Sequence, residues 1–514
     1  MPTEYFEQRE RALLGQRYQQ LYAAPQQTAE RGVTVSALRT TPEQFAQRAD
    51  FQLEPSPFCK AAFVVHQPDF KPGRHPYHHA GVFYSQEPSA SSAAPLLGVQ
   101  PGMRVLDLCA APGGKSSQLA AALQGRGVLV SNEYVAARAE ILKSNLERMG
   151  VSNAVVLNET PARIAEALPE FFDRVLVDAP CSGEGMFRKE PVALQQHCEA
   201  LVKQCAELGA QILDCAAAAL APGGQLVYST CTFAPEEDEG QVAAFLQRHP
   251  EFALADVLGN VDYTFGSAGE ENRTGGLPLD VSKVRRIWPC QGGEGHFMAR
   301  LVKAGTARAL PAPGEYTPEE QLWLAAAAEA GRKSKGGKPQ KAAKPADARS
   351  ARRENSRACR EAVQGRSSRS RDAGAVDASP AQSLAAWREF AEEYFPELAK
   401  RPAVVHGGGV LLPAAFPQTN LHVLRAGVFV GSVQKGRFVP EHHLFTAFGA
   451  LCRNCEELTL ADSRTVEYLS GREIEAHTAA DGWCCVTVDG WPLGGGKVSG
   501  GRVKNHYPKA LRLL

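Results

Sequence analysis

The stretch Val105-Leu-Asp-Leu-Cys-Ala-Ala-Pro-Gly-Gly-Lys-Ser-Ser-Gln-Leu119 decides the fold of this chain. An apolar run ends at Asp107, a turn of small residues follows, and an apolar-periodic segment begins at Ser116. This order predicts a strand, a tight turn and the N-terminus of a helix. In a parallel sheet such a turn lies at the carboxyl edge, where backbone N–H groups can approach a ligand closely. The stretch therefore predicts a site for a nucleotide-like cofactor.

Length and composition narrow the class of protein. A chain of 514 residues with 44% hydrophobic content is long enough for two to four ordinary globular domains. The N-terminus has no apolar signal segment, and no stretch reaches the roughly 18 apolar residues that span a bilayer. The 13 cysteines are scattered and odd in number, unlike a disulfide framework. We therefore expect a cytoplasmic protein with free thiols and no membrane partner.

The alternation of predicted elements divides the chain into five segments. Residues 1–97 predict an N-terminal α+β domain. Residues 98–303 alternate strands with helical crossovers, which predicts a doubly wound parallel α/β sheet. Residues 304–380 predict a basic linker with one short helix after Pro318. Residues 381–455 and 456–514 predict two small domains, the last of them rich in β-strands.

Within the α/β segment the periodicity indicates individual elements. The predicted strands are 103–108, 127–132, 154–158, 173–178, 225–230, 284–288 and 296–302. The predicted helices are 116–124, 135–149, 194–220 and 236–248. The last two strands are expected to form an antiparallel pair, because no obvious helix separates them. The third helix is expected to bury one face, formed by Leu194, Cys198, Leu201, Cys205, Leu208, Ile212 and Cys215.

Basic residues are concentrated in three places, although the formal net charge is zero. Residues 332–371 carry 14 Lys/Arg and three acidic residues. We expect 331–380 to be disordered, as either a solvated tether or an arm that binds phosphates. In residues 51–86 and 497–512 basic and aromatic side chains are interleaved. We expect each stretch to form either a nucleic-acid-binding surface or a plain solvated surface. The basic residues of the first surface are Lys60, Lys71, Arg74, His75, His78 and His79.

Acidic and thiol side chains follow three strands of the predicted sheet. Glu133 ends the second strand, where a carboxylate can accept hydrogen bonds from both hydroxyls of a ribose. Asp178 and Cys181 follow the fourth strand, and Cys231 follows the fifth. Because the carboxyl ends of parallel strands meet at one edge, we expect these side chains in the cofactor crevice. Two thiols that converge there indicate a catalytic pair.

No pattern in the sequence predicts a metal site. Cys452 and Cys455 have the spacing of one metal-binding arm, but Cys484 and Cys485 are adjacent and do not make a second one.

Three motifs together resemble a known family. Asp107-Leu-Cys-Ala-Ala-Pro-Gly-Gly-Lys115, Asp178-Ala-Pro-Cys-Ser-Gly183 and Ser229-Thr-Cys231 look like the signature motifs of the Nop/Sun (RsmB/RsmF) family of RNA cytosine-C5 methyltransferases. The C-terminal Lys504-Asn-His-Tyr-Pro-Lys509 is similar to the PUA-like tail of the RsmF branch. The resemblance implies a Rossmann-like methyltransferase sheet, an N-terminal RNA-binding domain and a PUA-like RNA-binding domain. It also implies small-subunit (16S) ribosomal RNA as the substrate.

The resemblance further implies the roles of individual residues. Cys231 would be the nucleophile, and Cys181 would help to release the enzyme from the product. Asn158 stands where the family usually has an Asp-containing turn, and its carbonyl oxygen would accept a hydrogen bond from the adenine amine. S-adenosyl-L-methionine would contact Cys109, Ala110, Ala111, Pro112, Gly113, Gly114, Lys115, Glu133 and Asp178.

Cytosine chemistry explains why such residues are needed. C5 is too poor a nucleophile to take a methyl group unaided, so a thiolate must first add to C6. Asp178 would support protonation of the base at N3, and Lys115 would add favourable charge. The target base must also leave its stack, which suits single-stranded RNA held by flanking domains.

Two other functions fit the same residues. One is the same chemistry on tRNA, and the other is a non-catalytic RNA-binding protein of ribosome assembly. The presence of both Cys181 and Cys231 favours an enzyme. The roles of the two thiols could also be reversed, because DNA cytosine methyltransferases carry their nucleophile in a Pro-Cys at the position of Cys181. We expect the protein to be a monomer.

Overall fold

The computed structural model describes residues 2–22, 31–67, 69–333 and 378–513. Most of the segment predicted to be disordered, 331–380, lies outside the described residues.

The N-terminal region is a small antiparallel sheet with short helices around it. Its elements are α1 Glu4–Leu14, α2 Arg17–Leu21, β1 Gly32–Val35, α3 Pro42–Arg48, β2 Leu53–Pro55, β3 Ala62–Val65, α4 Pro76–His79, β4 Phe83–Gln86 and α5 Ala93–Leu96. The strand order is β2-β3-β1-β4. Helix α3 begins after Thr41, whose hydroxyl accepts a hydrogen bond from the Gln44 N–H, and Pro42 occupies its first turn. The predicted α+β character is confirmed.

The central region alternates strands and helices. Its elements are β5 Arg104–Asp107, α6 Gly114–Leu123, β6 Val128–Asn132, α7 Ala136–Arg148, β7 Ala154–Leu157, α8 Pro161–Ala167, β8 Phe172–Asp178, α9 Pro191–Gln196, α10 Glu199–Ala219, β9 Leu220–Thr230, α11 Glu239–Arg248, β10 Phe252–Ala255, β11 Arg285–Ile287 and β12 His296–Lys303. Strands β7-β6-β5-β8-β9 are parallel. Strand β12 runs antiparallel to β9 and pairs with β10 and β11. Both the doubly wound sheet and the antiparallel pair at its edge are confirmed.

The prediction for the helix over 194–220 is wrong in two respects. The helix is interrupted, and Cys198 precedes the first turn of α10 as an exposed N-cap. Cys205 and Cys215 are only half-buried. Ile212 is buried as expected, but the rest of the buried face is formed mainly by small residues, which let the helix approach the sheet closely. That face consists of Val202, Gly209, Ile212, Leu213, Ala216, Ala217 and Ala219.

The C-terminal half adds two further units. Its elements are α12 Pro318–Lys333, α13 Pro380–Tyr394, β13 Val404–His406, β14 Gly409–Pro413, β15 Val423–Gln434, β16 Arg437–Pro440, α14 His442–Phe448, β17 Cys455–Leu458, α15 Ser463–Leu469, β18 Ile474–Glu475, β19 Gly482–Val488, β20 Trp491–Ser499 and β21 Arg502–Asn505. Strand β15 pairs antiparallel with β7, so the first unit extends the central sheet. The second unit has a five-stranded sheet of order β17-β19-β20-β21-β18. The predicted β-rich C-terminal region is confirmed.

The N-terminal and C-terminal sheets share one hydrophobic core. Its polar contacts include the Tyr77 hydroxyl with Asp489 Oδ2 at 2.8 Å and His79 Nδ1 with the Tyr507 hydroxyl at 2.7 Å. His79 and Tyr507 are both buried. These two residues therefore join domains, and the expectation that they belong to nucleic-acid-facing surfaces is wrong. Their aromatic rings serve packing between sheets.

Other members of the two basic surfaces are more accessible. Lys71 and Arg74 are exposed, whereas His75 is half-buried and its Nε2 contacts Asp50 Oδ1 at 2.9 Å. On the C-terminal segment Lys504 and Lys509 are exposed.

Buried His79 makes the stability of this interface depend on pH. Burial lowers the pKa of His79 to about 4, whereas an unfolded histidine titrates near about 6.5. As the pH falls from 7 to 4, the unfolded chain takes up a proton that the folded chain does not, which costs up to about 3 kcal/mol of stability. We expect the free energy of unfolding of His79→Gln, measured by urea unfolding, to fall less between pH 7 and pH 4 than that of the parent.

The matched control is His66→Gln, which replaces an exposed histidine and is expected to keep the parental slope of unfolding free energy against pH. A His79→Gln slope equal to the parental one would contradict the prediction.

Candidate active site

The carboxyl ends of β5, β6, β8 and β9 meet at one edge of the central sheet. The parallel register places Asp107 beside Ser131 and Asp178 beside Ser229. Every residue predicted from the sequence to bind the cofactor or act in catalysis is either the last residue of one of these strands, as Asp178 is, or lies on a segment that follows one of them or β7.

Side chains from other elements form hydrogen bonds with the backbone of the turn between β5 and α6 and fix its conformation. Gly113 has a φ of 114°, a left-handed conformation that glycine adopts without strain. The Pro112 carbonyl accepts hydrogen bonds from the Tyr84 hydroxyl at 3.1 Å and Asn145 Nδ2 at 2.8 Å. The Ala111 carbonyl accepts one from Arg138 at 2.9 Å. The amides in the first turn of α6 have no partner within the helix. The hydrogen bonds to the turn orient these amides toward the crevice.

Asp107 is a buried carboxyl group at the start of this turn. Its Oδ2 accepts a hydrogen bond from the Ser116 hydroxyl at 2.6 Å. Burial raises its pKa to about 7, although the bond from Ser116 opposes the shift. Within the described part of the chain, Asp107 Oδ1 has no hydrogen-bond partner. A donor from a ligand would satisfy this oxygen.

Glu133 and Asn158 lie together at the next strand ends. Glu133 is 5% exposed, and its Oε1 accepts a hydrogen bond from the Val135 N–H at 2.8 Å. Asn158 Nδ2 donates to the carbonyls of Glu133 and Tyr134, both at 2.8 Å. Because both N–H groups of the amide are used, Asn158 can offer a ligand only its carbonyl oxygen.

Lys115 and Asp178 form a half-buried ion pair. Lys115 Nζ donates to Asp178 Oδ2 at 2.7 Å, and the Ser229 hydroxyl donates to Asp178 Oδ1 at 2.8 Å. Burial alone would raise the pKa of Asp178, but Lys115 and His296 hold the pKa below its ordinary value. Asp178 is therefore a carboxylate at neutral pH and accepts hydrogen bonds.

The two predicted thiols are in contact. Cys181 Sγ lies 3.2 Å from Cys231 Sγ, and the Cys231 N–H donates to Cys181 Sγ at 3.4 Å. The hydrogen bond to Cys231 and burial raise the pKa of the Cys181 thiol well above its usual range. Cys181 therefore keeps its proton, and its S–H can donate to a negatively charged Cys231 sulfur.

Acidic residues after Cys231 fix the two cysteine loops. Glu237 accepts hydrogen bonds from the backbone N–H of Ser182 at 2.9 Å and from its hydroxyl at 2.5 Å. Asp238 and Glu239 both form ion pairs with the fully buried Arg286. The signal for this framework was the acidic run Pro235-Glu-Glu-Asp-Glu239, which begins four residues after Cys231 in the sequence.

His296 is a further residue of the site that sequence reasoning missed. Its Nδ1 contacts the Gly295 carbonyl at 3.0 Å and must be the donor, and its Nε2 lies 3.9 Å from Asp178 Oδ1. Burial and the charge of Lys115 lower the pKa of His296 to about 4, so the ring is neutral at pH 7. The sequence alone did not reveal that β12 pairs antiparallel with β9, and it is this pairing that places His296 beside the end of β9.

No group of three or more metal-ligating side chains occurs in the described ranges. The Cys452 and Cys455 thiols instead contact backbone carbonyls at 3.2 and 3.3 Å. None of the helices that the structure describes is both long enough and apolar enough to cross a membrane.

Comparison with known proteins gives matches along most of the chain. The relative from Klebsiella pneumoniae, ribosomal RNA small subunit methyltransferase F, is 31% identical over 507 residues, which are 95% of this chain and 91% of that protein. The chain belongs to the RsmF family. The protein of that name from Pectobacterium atrosepticum is 36% identical over 302 residues, covering 57% of this chain and 60% of its own length.

Four family models match separate parts of this RsmF family chain. They are the N-terminal domain of 16S rRNA methyltransferase RsmF over 1–88, 16S rRNA methyltransferase RsmB/F over 94–302, the RsmF rRNA methyltransferase first C-terminal domain over 389–448, and the methyltransferase RsmF PUA domain over 455–513. The predicted family and its RsmF branch are confirmed. The chain belongs to a family of methyltransferases.

Solved structures agree with the central fold. A methyltransferase homolog protein from Pyrococcus horikoshii is 29% identical with a TM-score of 0.52, and the match covers 59% of this chain and 95% of that one. NSun6 from Pyrococcus horikoshii with SFG has a TM-score of 0.50 over 59% of this chain and 99% of its own, at 18% identity, which shows the fold alone.

Proposed function

We propose that this RsmF family protein methylates C5 of a cytosine in 16S ribosomal RNA, in the bacterial cytoplasm, through a covalent bond between Cys231 and C6. The observation that carries the proposal is the 3.2 Å contact between the Cys181 and Cys231 sulfurs, next to the Lys115–Asp178 ion pair. The names of the relatives, which are small-subunit ribosomal RNA methyltransferases, support the choice of RNA.

The residues at the sheet edge fit S-adenosylmethionine. The turn from Cys109 to Lys115 would hold its methionine part, and the unpartnered Asp107 Oδ1 would accept a hydrogen bond from its ammonium group. Glu133 would bind the ribose hydroxyls, and Asn158 would face the adenine amine with its carbonyl oxygen. When bound, the cofactor supplies an electrophilic methyl group.

Glu133 provides a direct test of this placement. Glu133→Gln removes the charge that strengthens hydrogen bonds from the ribose, and a hydrogen bond to a charged group is worth about 1.5–3 kcal/mol. We expect the Kd for S-adenosylmethionine in titration calorimetry to rise about tenfold or more.

Glu140→Gln, at an exposed position on α7, is the matched control and should bind as the parent does. A Glu133→Gln Kd within about twofold of the parental value would remove Glu133 from the ribose site.

The chemistry starts at the Cys231 sulfur. The Cys231 thiol gives its proton to N3 by way of the Asp178 carboxylate, and its sulfur electron pair forms a bond to C6. The ring becomes an enamine in which C5 is nucleophilic. The Asp178 carboxylate accepts the hydrogen bond of the protonated N3, and Lys115 holds Asp178 in place at 2.7 Å. C5 would then use the enamine electron pair to take the methyl group that the cofactor supplies, with the electron pair of the broken bond left on the cofactor sulfur. N3 returns its proton to the Asp178 carboxylate.

Release requires removal of the C5 proton, whose bonding pair restores the C5–C6 double bond and expels the Cys231 sulfur. The bond from Cys181 to Cys231 is the largest cause of the raised Cys181 pKa. Once the Cys231 sulfur is bonded to C6 it carries no charge, so this cause is removed, and the Cys181 thiol can give its own proton to solvent and become a thiolate that accepts a proton. We therefore assign the C5 proton to Cys181, or to water that it positions.

The two thiols then give opposite results on mutation. Cys231→Ala cannot add to C6, and we expect no covalent protein–RNA complex on a denaturing gel. Cys181→Ala still forms the adduct but removes the C5 proton slowly, so the complex accumulates. Cys205→Ala, at the half-buried thiol of α10, should resemble the parent. An adduct that persists in Cys231→Ala and is absent from Cys181→Ala would reverse the roles.

The RNA substrate is tested in a deletion strain. Bisulfite sequencing of total RNA with and without the gene should show loss of 5-methylcytosine from 16S ribosomal RNA, with tRNA unchanged. Loss from tRNA alone would establish the tRNA alternative. Unchanged methylation in both would favour a non-catalytic role in ribosome assembly.

A further inference from the structure

A cavity of about 290 Å³ opens beside the loop that carries Cys181. Its wall includes four aromatic rings and three charged side chains, and two of the charged side chains lie with the rings while the third is Glu184. The four rings and the two charged side chains that lie with them belong to Phe6, Tyr22, Phe187, Arg188, Phe233 and Glu294. We call this space the aromatic cavity.

The aromatic cavity adjoins the nucleophile through the backbone. The Gly185 N–H donates to the Cys231 carbonyl at 2.9 Å, and Gly185 itself lines the cavity. A Cβ on Gly185 would lie 2.9 Å from the carbonyl oxygens of both Cys231 and Gly295, so this approach requires glycine. Phe233 follows Cys231 by two residues. A nucleotide next to the target therefore lies within reach of the cavity.

The walls of the cavity are fixed. The Phe6 ring centroid lies 5.4 Å from that of Phe187 in an edge contact, and Phe233 stacks on Trp288 at 5.4 Å. Glu184 accepts hydrogen bonds from Arg9, His197 and the Phe233 N–H, so its oxygens are fully used. The cavity is thus preformed, which reduces the entropy cost of binding a flat ring.

Glu294 supplies the polar recognition. Its side chain is 1% exposed, and its Oε2 accepts a hydrogen bond from Arg188 Nε at 2.8 Å. Its Oε1 has no hydrogen-bond partner among the residues that the structure describes. A buried acceptor without a donor is unfavourable, so a ligand that brings an N–H group gains affinity there.

We propose that the aromatic cavity binds the base of a nucleotide that flanks the target cytosine, and that it prefers a base with an exocyclic amine. This inference rests on the proposed function and names a second contact of the same RNA. The aromatic rings stack on the base, and Glu294 Oε1 accepts a hydrogen bond from the amine of adenine, guanine or cytosine. Uracil offers only N3–H between two carbonyl oxygens, which repel a carboxylate.

The charges of the cavity select a base over a phosphate. Glu184 and Glu294 both line the cavity, and the arginines beside them are already paired with these carboxylates, Arg9 with Glu184 and Arg188 with Glu294. A phosphate would still meet the unpartnered Glu294 Oε1 at close range. A base carries no charge and presents an N–H edge. Binding of a neighbouring base also keeps the RNA strand unstacked next to the target while the target base is extruded.

The test uses 16S ribosomal RNA in which single abasic nucleotides replace positions near the methylated cytosine, which bisulfite sequencing identifies. For the parent enzyme we expect one abasic position to raise KM about tenfold, as the loss of one stacked base does. Phe187→Leu keeps an apolar side chain but removes the aromatic face. It should methylate the intact and abasic RNAs with KM values within about twofold of each other.

All four bases are then compared at the sensitive position. In Glu294→Gln the amide oxygen stays on Arg188 and the amide N–H faces the cavity, so the preference should shift from amino-bearing bases to uracil. Glu190→Gln, at a nearby exposed position, should keep the parental preference. Thermal melting confirms that each variant is folded.

Two results would overturn the inference. One is that no abasic position changes KM by more than about twofold for the parent enzyme. The other is a sensitive position that responds equally in Phe187→Leu. If the parent does not methylate the RNA at all, the proposed function fails, and the same comparison made on the Kd of the RNAs still decides whether the cavity binds a base.

Discussion

Parallel pairing of β8 with β9 is the constraint on which the rest of the site depends. The register sets Asp178 opposite Ser229, so the loops after the two strands start side by side. Cys181 is three residues beyond Asp178 and Cys231 is two beyond Ser229, which brings the sulfurs to 3.2 Å. A shift of one residue in this register would move each side chain to the other face of the sheet and separate the pair.

The ion pair of Lys115 with Asp178 joins this strand pair to the cofactor turn. Lys115 lies in the first turn of α6, and its ammonium group reaches Asp178 at 2.7 Å. The same lysine helps to keep His296 neutral and Asp178 charged. One residue therefore influences the charge states of the groups at the ends of both β8 and β12.

Sequence reasoning succeeded where local pattern decides structure. The strand ends at Asp107, Asp178 and Thr230 follow apolar runs, and parallel strands bring such ends to one edge. It failed where burial depends on partners far away in the chain. The face of α10 that packs on the sheet is marked by Gly209 and alanines, which a pattern of large apolar residues does not reveal.

The packing of the domains against one another could not be predicted from the sequence, because it depends on contacts between residues far apart in the chain. The contact of His79 with Tyr507 joins residues 428 positions apart, and β15 continues the central sheet from beyond the basic linker. Neither contact leaves a local signature, because histidine and tyrosine suit a solvated surface and a domain interface equally well. His296 escaped notice for the same reason, since only its antiparallel strand places it near Asp178.

The charges around the thiols explain how an acidic site can receive RNA. Carboxylates here would repel phosphates, but buried arginines balance them: Arg9 binds Glu184, and Arg273 binds Glu10 at 2.6 Å. Arg9 and Glu10 both belong to α1. Arg9 of the N-terminal helix therefore neutralises the charge of Glu184 in the loop after Cys181. Glu10 of the same helix anchors it to Arg273. Because Glu184 and Glu10 are fully buried, loss of either arginine would leave an uncompensated negative charge beside the candidate site. The first helix of the chain is thus a structural part of the proposed catalytic centre.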